Sequence, residues 1–279
     1  MKFVLLGLEG SANYGLHTGD RVLPLGELLH GDTPQEQLQD LIDSFDTLRP
    51  RLDALSASGA SIPLSEVRML PPVPRPGKIV VTTATYGVSA PPPQLLATLK
   101  SAESVVGPGE TVRLPEVDAK WHFVPQASLG LVIRGRAKNV PAAQWQRTVF
   151  GYTCVIDIMA RGDTQFGRDY WLAKSDTLGP LGPGIVTLDD IPDPSHLRVR
   201  SRQNGTPAQK FLLADASHSI GEQLEFVTTV MTLHSGDVLV CGSSPQGQRP
   251  LGDGDRVEVE IDTIGRLEVD VSQLSEVHA

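Results

Sequence analysis

From Lys78 onward the chain is a succession of short apolar or alternating segments cut by Gly, Pro and Asp turns. KIVVTTATY (78–86), SLGLVIRG (128–135), TVFGYTCVIDIM (148–159), GIVTLDDI (184–191), LRVRSRQNG (197–205), DVLVCGSS (237–244), RVEVEIDTIG (256–265) and RLEVDV (266–271) each carry a strand pattern. One long helical pattern interrupts them: HSIGEQLEFVTTVMTL (218–233), with Ile220, Leu224, Val227 and Val230 or Met231 on one face. A parallel βαβ sheet would need a helix between successive strands, and the sequence does not provide them. The spacing predicts a sandwiched or closed β architecture, α+β in class but mainly β. Asn204-Gly205 between two runs predicts a hairpin turn.

Upstream of residue 70 the pattern changes. KFVLLGL (2–8) reads as a strand, and RVLPLGELL (21–29) as a shorter strand with a turn. Leu38, Leu41, Ile42, Phe45 and Leu48 then recur at helical spacing, with Thr33 as N-cap and Pro34 in the first helical position. Pro50 is expected to bend or interrupt this helix. SASGASIP (56–63) has the composition of a linker, and the Pro-rich stretch 67–77 is extended. A small N-terminal α/β domain, 1–69, followed by a main domain, 70–279, is the expected division.

Net charge is -9, and the basic residues are scattered without a run. Nucleic acid and anionic membrane surfaces are therefore excluded as expected partners. Apolar runs stay well short of the ~18 residues of a membrane span. Met1 to Leu8 is apolar but short, with Glu9 next, so no secretory leader is expected. The expectation is a cytoplasmic protein. Cys154 and Cys241 lie far apart in apolar strand runs and read as buried free thiols.

GYTCVIDIMARGDTQ (151–165) places Asp157 at the end of an apolar strand. A buried carboxylate needs a partner, because an unpaired buried charge is expensive. That partner can be a metal, a basic side chain or a substrate.

Seven segments answer in part: KIVVTTATY, LGLVIRGRAKNV, GYTCVIDIMARGD, KSDTLGPLGPGIVT, RSRQNG, LHSGDVLVCGSSPQG and LGDGDRVEVEIDTIGRLEVDV. In order and spacing, over about residues 70–275, they resemble the catalytic domain of the fumarylacetoacetate hydrolase superfamily. The resemblance implies a mixed β-sandwich roll, a small N-terminal domain and a homodimer. It also implies enzymes that cleave, tautomerise or decarboxylate β-dicarbonyl and 2-oxo acid compounds with Mg²⁺ or a similar ion.

The family's motif for that ion is Glu-x-Glu on one strand and Asp on its neighbour, hard oxygen ligands for a hard cation. Here the first motif reads Gln126-Ala127-Ser128, and Asp157 alone remains. The family's water-activating His corresponds to Ser89 in Thr85-Tyr86-Gly87-Val88-Ser89, with Tyr86 kept. Arg161 and Lys174 match family positions, and Gln165 follows an apparent insertion. With one carboxylate the expectation is no cofactor, with Mg²⁺ disfavoured. Without a metal, Asp157 is expected to pair with Lys174 or Arg161, either as a structural ion pair or as an acid–base pair in a pocket.

The expected catalytic group is Asp157, Lys174 and Arg161. The expected substrate contacts are Tyr86, Ser89, Gln126, Ser128, Gln165 and Ser243. Each has a plainer use: Tyr86 as a packed aromatic, Arg161 in a surface salt bridge, Gln126 and Ser128 as polar infill, Ser243 in a turn. TYGVSAPPP is no nucleophile elbow, so Ser89 is not read as a nucleophile. His122 shares the strand parity of Gln126 but sits ~13 Å away along it, too far to be a joint ligand. Three readings follow. The first is a metal-independent enzyme acting on an enolisable polycarbonyl by cyclisation, tautomerisation, dehydration or another lyase-type step, of the kind used in secondary metabolism. The second is a Mg²⁺-dependent hydrolase, decarboxylase or tautomerase with rearranged ligands. The third is a silent homologue serving as a partner subunit.

Overall fold

The structure, a computed structural model, describes residues 1–8, 10–58, 61–87, 94–162 and 168–273. Its strands are β1 (Lys2–Leu8), β2 (Ser11–Thr18), β3 (Arg21–Pro24), β4 (Ile62–Pro63), β5 (Arg68–Leu70), β6 (Ile79–Thr83), β7 (Leu96–Lys100) and β8 (Thr111–Leu114). They continue with β9 (His122–Ile133), β10 (Val149–Arg161), β11 (Leu181–Thr187), β12 (Arg198–Gln203), β13 (Thr206–Leu212), β14 (Val238–Val240), β15 (Arg256–Ile261) and β16 (Gly265–Gln273). The α-helices are α1 (Pro34–Asp43), α2 (Phe45–Ser58), α3 (Arg168–Leu172) and α4 (Ile220–Val230). The chain is mainly β, as its strand patterns predict.

Two sheets carry the fold. The larger has the order β4-β3-β2-β1-β11-β10-β9-β14-β6-β7, with β5 added beside β1; the smaller has the order β13-β12-β15-β16-β8. The predicted Asn204-Gly205 turn joins β12 to β13. Both residues have positive φ, 53° and 73°, the geometry that suits the right-handed twist of a hairpin. Alternation along β9 and β10 separates two cores. Tyr152, Cys154, Ile156, Leu129 and Leu131 pack between the sheets against Val259, Leu267 and Val269. Val155 and Val132 point the other way, into a core shared with α1 and α2.

The N-terminal segment is joined to the rest through the larger sheet. Lys2 and Phe3 of β1 pair with Val186 and Ile185 of β11, and Leu5 to Gly7 pair with β5. Residue 70, where the division was expected, is the last residue of β5, which pairs with β1 in this same sheet. Thr33 caps α1 in a full capping box with Glu36, and Pro34 opens the helix. The expected break at Pro50 is corrected: α1 ends at Asp43, α2 begins at Phe45, and Pro50 lies inside α2. The chain leaves the first helix at Ser44, where φ -95° and ψ 2° depart from the helix. Leu38, Leu41, Ile42, Phe45 and Leu48 are buried as their spacing requires.

Phe45 sets α2 on the sheet. Its ring stands edge-on to Phe150 of β10 at 5.2 Å and to Phe3 of β1 at 6.0 Å. Replacing Phe150 with Ala removes the ring common to helix and sheet. The expected loss is about 3–5 kcal/mol, read as a lowered urea midpoint with the m-value kept. A loss within error of zero would show that the helices dock without the aromatic cluster.

Candidate active site

Asp157 lies on β10 directly opposite Gln126 of β9, and Ser128 pairs with Val155 one pleat further on. The two-residue period puts Asp157, Gln126 and Ser128 on one face. Asp157 and Ser128 are fully buried, and Gln126 is nearly so.

The partner of Asp157 is Lys100, the last residue of edge strand β7. Its Nζ stands 3.0 Å from Asp157 Oδ1, and both side chains are sealed from solvent. The sequence-based expectation of Lys174 or Arg161 as partner is corrected. β7 is four places from β10 in the sheet order, so the sheet must curl to bring Lys100 there. The three N–H groups of Lys100 are already committed. They donate to the carbonyls of Ile158, Ala173 and Leu178 at 2.9, 2.9 and 3.0 Å. The contact with Asp157 is thus one of charge, and neither carboxylate oxygen has a hydrogen-bond partner among the described residues. The buried Ser128 hydroxyl is in the same condition.

Lys174 donates to the Thr98 hydroxyl on β7. Burial lowers its pKa to about 8, with repulsion from Lys100 adding to the shift and attraction to Asp157 opposing it. Arg161, at the end of β10, is exposed. It lines a cavity of about 290 Å³ together with Tyr86, Gln126, Met159, Asp169 and Ser243. The structure therefore gathers Tyr86, Gln126, Arg161 and Ser243 around one space. Asp157 and Ser128 lie on the strand face behind Gln126, and Lys174 lies beside β7. Ser89 and Gln165 lie outside the described residues.

The wall opposite β9 is built by close backbone approach. Gly242 has φ 66°, and a Cβ there would meet Thr85 Oγ1 at 2.1 Å and the Thr82 carbonyl at 2.8 Å. Glycine at this position lets the 242–245 loop lie against the segment that carries Tyr86. Tyr86 packs edge-on to Phe211, with centroids 4.9 Å apart, and burial pushes its phenol pKa up. It remains a hydrogen-bond donor at any ordinary pH. Burial likewise pushes the thiols of Cys154 and Cys241 up to about 12. Both are free, as expected, and unreactive in this state.

Two residues that position the site escaped the sequence reading. One is Lys100. The other is Gln209 of β13, whose Oε1 accepts from the Ala127 N–H at 2.9 Å while its Nε2 donates to Ser243 Oγ at 3.0 Å. It ties the β9 segment between Gln126 and Ser128 to the opposite wall. TPAQKFL (206–212) offered no sequence signal for it, since Gln209 stands beside Lys210 in a half-polar strand.

Among the described residues no three His, Cys, Asp or Glu side chains converge. The donor set is one carboxylate with a hydroxyl and an amide oxygen. These are oxygen ligands of the type that Mg²⁺ and Mn²⁺ take. Among the described residues the Ser128 hydroxyl and the Asp157 carboxylate have no hydrogen-bond partner, Lys100 offsetting the carboxylate by charge, and such oxygens are of the kind a hard cation takes.

The profile described as fumarylacetoacetate (FAA) hydrolase, C-terminal, matches residues 80–272. Maleylpyruvate hydrolase of Aquipseudomonas alcaligenes is 31% identical over 277 residues, covering 91% of this chain and 94% of the relative. The human mitochondrial oxaloacetate tautomerase FAHD2A is 32% identical over 253 residues, covering 83% of this chain and 78% of the relative. The crystal structure of maleylpyruvate hydrolase from Sphingobium sp. SYK-6 in complex with manganese(II) ion and pyruvate has a TM-score of 0.88 at 30% identity, covering 99% of this chain and 100% of that one. This last comparison overturns the expectation that a chain of this kind works without a metal. Charge counting along β9 and β10 alone led to that expectation. No helix among the described residues is long and apolar enough to cross a membrane.

Removing Lys100 should be severe. Lys100→Met leaves the Asp157 charge buried without compensation and three carbonyls without a donor, a loss of about 3–5 kcal/mol. Urea unfolding measures it; a loss below ~1 kcal/mol would show that water replaces the ammonium.

Lys174 gives a pH dependence with a definite sign. Between about pH 8 and the ordinary lysine value, the folded chain binds fewer protons here than the unfolded chain. Stability therefore rises with pH across that window, and the penalty present below it is relieved above it. Against Lys174→Met as reference, the unfolding free energy of the wild type should gain as pH is raised through that window. A flat or opposite difference would place the Lys174 ammonium in water.

Proposed function

Because this chain belongs to the fumarylacetoacetate hydrolase family, we propose that it is an enzyme that forms and resolves an enolate on a small 2-oxo carboxylate or β-dicarbonyl compound. The observation that carries this reading is a buried carboxylate–ammonium pair behind a polar cavity, with a lysine poised near neutrality beside it. The named relatives include a hydrolase and a tautomerase, and both kinds of reaction can proceed through an enolate.

Each side chain has a task in that chemistry. Arg161 offers a planar fork of N–H donors from the cavity wall and clamps the substrate carboxylate. Tyr86, held protonated by burial, donates to a carbonyl oxygen. Gln126 and the Ser243 hydroxyl fix the rest of the substrate from opposite walls. Lys174, bonded to Thr98 outside the cavity lining, adds a titratable positive charge close to the Asp157–Lys100 pair. Asp157, Ser128 and Gln126 are the oxygen donors that would hold a divalent cation, which would supply Lewis acidity toward the substrate.

Two features narrow the reaction. Ser89 stands where the family resemblance implies a water-activating His, which supports tautomerisation, isomerisation or a lyase-type step over C–C hydrolysis. The cavity, at about 290 Å³, is at the small end for ligand sites. That supports a compact oxo acid over a bulky polycarbonyl of secondary metabolism.

The test follows deuterium uptake at the carbon next to the carbonyl by proton NMR, and enol–keto conversion of oxaloacetate by absorbance, both with Mn²⁺ present. Exchange catalysed above the buffer rate is expected. In Arg161→Met, KM should rise by about tenfold to hundredfold with the smaller change in kcat. Absence of exchange across a panel of 2-oxo acids and β-dicarbonyls would sink the reading.

A further inference from the structure

The orientation of one buried amide fixes the polarity of a cavity wall. The chain following β14 makes a last rung with β9, from the Cys241 N–H to the Leu129 carbonyl. It then turns away at Gly242, where φ is 66°, into the loop that lines the cavity. Two residues back along β9 the Ala127 N–H has lost that neighbour, and the Gln209 side chain meets it at 2.9 Å. A backbone N–H can only donate, so the Gln209 atom facing it is Oε1. The other end of the amide is therefore Nε2, which donates and cannot accept. It gives its hydrogens to the Ser244 carbonyl at 2.5 Å and to Ser243 Oγ at 3.0 Å. Gln209 is 3% exposed, so bulk water does not compete for either end.

Ser243 Oγ is thereby an acceptor toward the protein. A hydroxyl has one proton to give, and this one cannot point at the amide hydrogen. Among the described residues the Ser243 hydroxyl donates to no acceptor. Ser243 is half-buried and lines the cavity. Its proton is left for whatever enters there.

We propose that Gln209 is a positioning residue: it holds Ser243 as a hydrogen-bond donor toward the cavity, so that this wall takes an anionic oxygen of the oxo acid. The inference rests on the enolate-forming reading and deepens it, since it assigns the polarity of one wall and the residue that sets it. An anionic acceptor makes the stronger bond to such a donor. A substrate group that can only donate would meet two hydrogens and be rejected.

The test changes the amide into its isostere. In Gln209→Glu one carboxylate oxygen keeps the Ala127 bond, and the other is an acceptor that draws the Ser243 proton away from the cavity. Gln209→Met removes the bonds at both ends but leaves the Ser243 proton free. Both variants are checked for folding by circular dichroism. Pyruvate is the probe, and calorimetry with Mn²⁺ present gives its Kd whether or not it is turned over. Gln209→Glu should weaken pyruvate on the order of tenfold or more, and by more than Gln209→Met does. Relative to wild type at the same pH, the loss should recede as pH is lowered, because a protonated carboxyl no longer draws the serine proton. In a Ser243→Ala background Gln209→Glu should add little, since the two residues act as one unit.

Pyruvate bound by Gln209→Glu as tightly as by wild type overturns the inference. So does a loss that is equally large in the Ser243→Ala background, or one matched by Gln209→Met and indifferent to pH; the amide is then a structural brace alone. These outcomes leave the enolate-forming reading standing. Wild-type protein that binds no pyruvate also overturns the inference, and deuterium exchange measured on the same sample then reports whether the enzyme reading survives.

Discussion

The ammonium of Lys100 is the point on which the site depends. It is fully buried, which would be prohibitive for an isolated charge. Three carbonyls and one carboxylate make it tolerable. Those carbonyls come from β10, from the residue just beyond α3, and from the approach to β11. One side chain on an edge strand therefore fixes three separate stretches of backbone and closes the curl of the larger sheet. Replacing such a pair by apolar groups can be neutral in other folds. Here the carbonyls would also lose their donor, so the pair is bound up with the backbone geometry as well as with charge.

The cavity itself is assembled from elements distant in sequence. β9 and β10 present a polar face, and the loops after β6 and β14 form the opposite wall. Gln209 connects the two from the smaller sheet. It is a constraint of position, with both ends of one amide satisfied inside the protein. Its Nε2 also donates to the Ser244 carbonyl, and loss of the Gln209 amide would leave the buried Ala127 N–H unmatched, a larger penalty than the net worth of the bond.

Much of the fold could be read from the chain. Strand patterns located the main segments, the Asn204-Gly205 hairpin formed where turn chemistry placed it, and Thr33 capped α1. Asp157 was recognisable as a buried carboxylate in need of a partner. The partner was not, because β7 inverts the usual pattern. Leu96 and Leu99 remain about half exposed while Lys100 at the strand end is buried. Periodicity assigns leucines to the core and lysines to water, so it points the wrong way on an edge strand that curls over its own sheet. Pro50 misled as well. The break came at Ser44, between the two helices, and Pro50 is carried inside α2. The metal expectation failed because it summed side-chain charges along two strands, whereas the structure of a relative was solved in complex with manganese(II) ion and pyruvate.

The pairing of β1 with β11 has a consequence for how the chain reaches this state. Lys2 bonds into register with Val186, so β1 lacks this neighbour until the chain has been made as far as β11. β1 can meanwhile pair with β2 as a hairpin, and α1 can cap itself locally. The sheet that unites them waits for a loop closure spanning well over half of the sequence, a slow class of contact. Until then Lys2 and Phe3 lack their neighbour on that edge, while β5 can already cover Leu5 to Gly7, so the open edge of this apolar strand is short.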